Sequence, residues 1–155
     1  MNIREWNRRN AEISKKYDAL YHRIAAKHGL SDLQHWVLYV IRSMDGEGKL
    51  TQNGIAELFS MPKQSVNSAM TKLSEAGYVT LTQCSGPRNS KTAALTEAGV
   101  RLCRACVDPL LAAEERALAQ IPAAETELFL QLHAKIFDTI SEEVYPLGEK
   151  DCNET

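Results

Sequence analysis

Long apolar runs are missing from this chain. The longest uninterrupted one, Trp36 to Ile41, is about a third of the roughly 18 residues that argue for a membrane span. The first ten residues, MNIREWNRRN, place charges where a secretory signal needs an apolar core. A cytoplasmic protein with no membrane partner is therefore expected. Cysteine is also scarce: Cys84, Cys103, Cys106 and Cys152 are too few and too unevenly spaced for a disulfide framework in 155 residues. Reduced thiols are the default. Equally absent are a G-x-S-x-G elbow, a phosphate-cradling glycine loop and an H-E-x-x-H pair, so no enzyme is expected. His22, His28, His35 and His133 are scattered rather than set at ligand spacing, so neither a metal nor a cofactor is expected. A zinc site assembled from them and the acidic C-terminal helix is the alternative.

No sign of charge dominates the whole, since the formal net charge is −2. Along the chain the balance is uneven. Residues 1–30 carry seven basic and three acidic side chains (+4), 31–48 one and three (−2), 49–101 six and three (+3), and 102–155 four and eleven (−7). A basic middle with an acidic C-terminal third fits a molecule of which one region meets polyanions and another stays away from them.

What is present is helical periodicity in a folded, 44% apolar composition. Ile3, Trp6, Ile13, Tyr17, Leu20 and Ile24 recur at intervals of three and four or their sums, which predicts a first helix with a one-sided stripe. Ser31 and Gln34 have capping-box spacing and open a second helix with Leu33, Val37, Val40, Ile41 and Met44 inward. It is expected to end at Gly46 and Gly48. Thr51 is placed to cap a short third helix burying Ile55, Leu58 and Phe59. Pro62 breaks the pattern and starts a fourth helix reaching Ala76, with Gly77 as a left-handed cap. Tyr78 to Thr82 alternates as a strand, residues 84–90 (CSGPRNS) are turn chemistry, and Thr92 to Leu95 returns as the second strand of a hairpin. From Thr96 the chain is helical again, with a kink expected near residues 105–109 because of Pro109. A last helix carries Leu128, Leu132, Ile136, Ile140 and Val144 at i+4 spacing, with Phe129 and Phe137 alongside. It is expected to end before Pro146.

Helix, short helix, break, helix and hairpin form the order of a winged helix-turn-helix. The expected fold is mainly α with a small β-hairpin: an N-terminal dimerisation helix (1–30), the winged domain (31–96) and C-terminal dimerisation helices (97–155). In such a fold the second helix of the pair enters the major groove. Gln64, Ser65, Asn67, Ser68 and Thr71 are short hydrogen-bonders suited to base edges and phosphates, and Lys63 and Lys72 neutralise phosphate. At the hairpin, Arg88 and Lys91 are placed for backbone or minor groove. The expected partner is double-stranded DNA.

The runs "KLSEAGYV" (72–79) and "LTEAG" (95–99), in order around the wing "GPRNSKTAALTEAG", resemble the MarR family of transcriptional regulators, with similarity over nearly the whole chain. That resemblance implies a homodimer with interlocked terminal helices on a pseudo-palindromic operator. It also implies a small-molecule effector that weakens DNA binding. A ligand-responsive repressor is expected, because a DNA-bound dimer overlapping a promoter blocks polymerase without further machinery. The family's Asp-x-Arg in the wing is Asn89-Ser90-Lys91 here, which leaves Arg88 and Lys91 as the basic residues at that point.

The residues support a dimer independently. The stripe of Ile3, Trp6 and Ile13 and that of Leu128, Leu132, Ile136 and Ile140 are one-sided, and each needs a cover, from a second copy or from the other within one chain. Tyr17, Tyr21, His35, Trp36 and Tyr39 either line an aromatic ligand pocket or are plain core. Cys103 and Cys106 share one helix face, with Arg101 and Arg104 placed to lower a thiol pKa. They are two small core residues or a thiol sensor, and Cys84 in the wing is a second candidate for modification. The competing functional class is a winged-helix protein-interaction module without specific DNA binding.

Overall fold

The computed structural model describes residues 1–44, 50–58, 61–83 and 91–148. In order these form α1 (Ile3–Lys27), α2 (Asp32–Ser43), α3 (Gln52–Leu58), α4 (Lys63–Glu75), β1 (Val79–Gln83), β2 (Lys91–Leu95), α5 (Glu97–Cys106), α6 (Asp108–Leu118) and α7 (Ala123–Gly148). The chain divides into two compact units, Met1–Leu111 and Ala112–Thr155. Among the described residues no helix is long and apolar enough to cross a membrane.

In the first unit α2 is the central beam. Its capping box is complete: the Ser31 hydroxyl accepts from the Gln34 amide at 3.2 Å, and the Gln34 side chain accepts from the Ser31 amide at 2.8 Å. Val37, Leu38, Val40 and Ile41 are buried in one cluster with Ile55 of α3 and Val66, Met70 and Leu73 of α4, and Leu33 and Met44 pack at its edge. Thr51 caps α3 as expected, accepting from Gly54 N at 3.0 Å. Ile55 is buried, but Leu58 is exposed. It lies one turn past Gly54, at the end of a helix only seven residues long, and its side chain clears the cluster.

Pro62 stands as the N-cap of α4, its carbonyl accepting from Ser65 N at 2.9 Å. At the other end Gly77 takes a φ of +76°, a left-handed conformation that costs glycine nothing. It closes a Schellman motif with Tyr78 N to Leu73 O and Gly77 N to Ser74 O, both at 2.9 Å. β1 and β2 pair antiparallel from Val79↔Leu95 to Gln83↔Lys91. Leu50 and Thr51 add an edge to this hairpin through Ala93 N to Leu50 O, 3.0 Å, and a bridge from Thr51 to Thr92.

The two sequence runs around the wing lock onto each other. The Thr96 hydroxyl donates to the Gly77 carbonyl at 2.6 Å and accepts from Gly99 N at 3.0 Å, while Thr96 N donates to Tyr78 O at 3.1 Å. Gly99 lies against Tyr78 so closely that a Cβ there would overlap the Tyr78 carbonyl. The end of α4 and the start of α5 are thus one joint.

The disturbance expected near Pro109 is a break between two helices. α5 ends at Cys106, Val107 caps it, and Pro109 sits in the first turn of α6, where its missing N–H costs no helical bond. The junction is tied to α2 twice. Arg42 grips Asp108 with Nε to Oδ1 at 2.8 Å and an η nitrogen to Oδ2 at 2.9 Å, and His35 meets the Cys106 carbonyl at 3.2 Å.

In the second unit α7 does not stop before Pro146 but runs through it to Gly148. Proline there forfeits one backbone bond within the last turns, where the helix has few bonds left to lose. Residues 149–155, together with the expected positions Gly46, Gly48, Phe59 and Cys84, lie outside the described residues.

Candidate nucleic-acid interface

α4 separates its side chains into two opposite sets. Val66, Ala69, Met70 and Leu73 are buried, whereas Lys63, Gln64, Ser65, Asn67, Ser68, Thr71 and Lys72 are all exposed. Successive residues turn by about 100°, so Gln64, Ser68 and Thr71 lie opposite the buried set, with Lys63 and Asn67 on one flank and Ser65 and Lys72 on the other. Lys63 Nζ lies 3.8 Å from Glu57 Oε1, an exposed pair of little energetic weight. From Gln64 to Thr71 the middle of this face therefore carries hydroxyls and an amide, with one cation toward each flank.

The flank of Ser65 and Lys72 borders an open depression of about 440 Å³ lined by Ser31, Leu33, Pro62, Gln64, Ser65, Ser68, Ala69 and Lys72. Ser31 is a member that the periodicity of α4 could not reveal. Its helical role as a cap was legible from Gln34, but its place beside α4 depends on how α2 and α4 pack.

At the hairpin Lys91 is exposed at the start of β2, paired across the ladder with Gln83. Arg88, with residues 84–90 as a whole, lies outside the described residues.

The aromatic residues do come together. Tyr21 stacks on Trp36 with ring centres 4.6 Å apart, Tyr17 stacks on Tyr21 at 6.3 Å, and Trp36 meets Tyr39 edge-on at 5.4 Å. The His35 ring is 6.5 Å from Tyr21 and wholly buried. Since a carbonyl only accepts, the bond to Cys106 O places a proton on His35 Nε2.

Cys103 and Cys106 are buried and reduced. Burial pushes the Cys106 thiol above its ordinary pKa, and the Asp108 carboxylate adds to the shift. This is opposite to the lowering expected from Arg101 and Arg104, both of which are exposed. Among the described residues no group of three His, Cys, Asp or Glu side chains is arranged to hold a metal ion.

A MarR family model matches residues 28–88. That segment belongs to the MarR family. The MarR segment contains α2, α3, α4 and β1, hence every α4 residue named above, and it stops short of Lys91. The structure of a MarR family regulator from Neisseria meningitidis is 25% identical, with 92% of this chain and 99% of that one covered and a TM-score of 0.64. S. aureus MepR in its DNA-binding conformation is 16% identical, with 87% and 98% covered and a TM-score of 0.73. The S. aureus MepR–DNA complex is 18% identical, with 87% and 97% covered and a TM-score of 0.65. At these identities the two MepR likenesses establish a shared winged fold. No curated protein matches the chain.

Proposed function

We propose that this protein is a sequence-specific double-stranded DNA-binding transcriptional regulator that acts as a homodimer on a pseudo-palindromic operator, as a ligand-responsive repressor. The observation that carries the reading is the face of α4, a row of exposed, short hydrogen-bonding side chains held rigid by a fully buried row behind it. S. aureus MepR, which shares this fold, is seen in a complex with DNA, which supports DNA as the partner of this face.

Gln64 and Asn67 can bond adenine through two contacts, Ser65, Ser68 and Thr71 reach bases or phosphates, and Lys63, Lys72, Arg88 and Lys91 neutralise the backbone. Where the family's wing motif has arginine this chain has Lys91, a point charge without arginine's planar fork, and Arg88 three positions earlier is the alternative.

The dimer reading rests on apolar side chains that the chain leaves in water. Ile3, Trp6 and Ile13 of α1 and Leu128, Leu132, Ile136 and Ile140 of α7 are all exposed. Rows of large apolar side chains left exposed on a helix mark association surfaces. On this reading residues 1–30 and 97–155 serve dimerisation and 31–96 DNA binding. The aromatic group of Tyr17, Tyr21, His35, Trp36 and Tyr39 is the proposed effector site, since it joins α1 to the helix that backs α4.

The test is selection of sequences from random duplex DNA, followed by fluorescence anisotropy of the enriched duplex against a scrambled one at two salt concentrations. The expected result is affinity that falls steeply with salt and a preference of about 10³ or more. Selection that enriches nothing would support the protein-interaction module instead.

A further inference from the structure

The exposed face of α4 continues one turn beyond the residues assigned to DNA so far. Gln64, Ser68, Thr71 and Glu75 fall at i, i+4, i+7 and i+11, which places them within about 60° of arc opposite Val66, Ala69, Met70 and Leu73. All four are exposed. An acid at the end of this row opposes two fields. It sits in the last turn of α4, where the helix dipole disfavours an anion, and on the face proposed to meet phosphates. Neither helix stability nor non-specific DNA affinity gains from it.

What a carboxylate supplies is a pure acceptor. In the major groove cytosine presents its N4 amine as a lone donor, guanine presents two acceptors, thymine an acceptor and a methyl group, and adenine sets its N6 donor beside an N7 acceptor that repels an anion. A rise of 1.5 Å per residue separates Glu75 from Gln64 by about 16 Å along α4, roughly five base-pair steps of 3.4 Å.

We infer that Glu75 is a specificity-determining residue that selects a cytosine through its N4 amine, about five base pairs from the base read by Gln64. This rests on the DNA-binding reading above.

The experiment is selection from random duplexes with the full-length wild type and with Gln64→Ala, Glu75→Ala and Glu75→Gln, each checked for an unchanged thermal unfolding transition. The wild type is expected to enrich a motif in which Gln64→Ala flattens one position. Glu75→Ala should cut the preference for cytosine roughly tenfold at a second position about five base pairs away, leaving the rest of the motif intact. Glu75→Gln, which adds an amide donor, should move that second position toward adenine. An unchanged motif in Glu75→Ala, with affinity for all sequences raised alike, would overturn the inference and reduce Glu75 to a backbone-repelling charge. Failure of the wild type to enrich any motif would instead overturn the DNA-binding reading, and the inference with it.

Discussion

α4 and α7 carry the same kind of apolar row and end in opposite situations. In α4, Val66, Met70 and Leu73 are wholly buried against α2 and α3. In α7, Leu128, Leu132 and Phe137 remain 51%, 52% and 65% exposed. The i+4 row of α7 drifts by about 40° at each step, and with Phe129, Leu130 and Phe137 it widens to an apolar arc of about 200°, twice what one buried face of a surface helix needs. Periodicity therefore specifies that a face wants cover. Whether a face finds that cover is a tertiary matter: among the described residues the α4 row is buried and the α7 row is exposed.

The contrast can be broken most forcefully from the α4 side. Leu73→Ala removes a side chain from a filled core and is expected to cost about 2–5 kcal/mol in urea unfolding, whereas Leu132→Ala in dilute protein should cost well under 1 kcal/mol. Equal losses at every protein concentration would mean that α7 is packed after all. From the α7 side, Ile136→Glu places a charge where a second copy is expected to lie, and sedimentation equilibrium should show self-association weakened about a hundredfold or more. An unchanged association constant would remove α7 from the dimer surface.

The joint behind α4 sharpens the comparison further. Gly99→Ala puts a methyl group into the Tyr78 carbonyl, and because backbone rather than a flexible side chain must yield, a loss of roughly 1–3 kcal/mol is expected. Preserved stability would show that the α4–α5 joint is pliant.

The smallest effect concerns the tie between α2 and α6. The Arg42 guanidinium beside Asp108 holds its carboxyl below the ordinary 3.8. A carboxyl depressed on folding contributes its stability in full above its unfolded pKa and loses it as pH falls through the lower folded value. Asp108→Asn should therefore cost roughly 1 kcal/mol near neutrality, a figure kept small by partial exposure, and the gap from wild type should close below about pH 4. A gap independent of pH would assign the cost to packing.

Much of the winged unit was legible because its signals are local. Ser31 and Gln34 announce the start of α2, Pro62 the start of α4 and Gly77 its end, and each acts through bonds within a few residues. The α4 surface was legible for the same reason, since helical spacing alone divides Val66, Met70 and Leu73 from Gln64, Ser68 and Thr71. Other features depend on neighbours distant in sequence. The requirement for glycine at 99 comes from a carbonyl 21 positions earlier, the burial of His35 from the α5–α6 junction, and the position of Ser31 beside Lys72 from the packing of two helices. Leu58 fits the apolar pattern of α3 yet is exposed, because a seven-residue helix does not carry its last side chain back over the core. Pro146 misled in the other direction, since near the end of a long helix its cost is small enough to absorb.

The measurement that bears most directly on the central claim compares Asn67→Ala with Lys72→Ala by fluorescence anisotropy on the selected duplex and on single-base variants of it across a salt series. If the face of α4 reads DNA, Asn67→Ala should lose discrimination at one base position, while Lys72→Ala should weaken all duplexes alike and reduce the salt slope by about one. Wild-type affinity, discrimination and slope in both variants would contradict the account, because the two exposed side chains flanking the reading row would then have no contact with DNA.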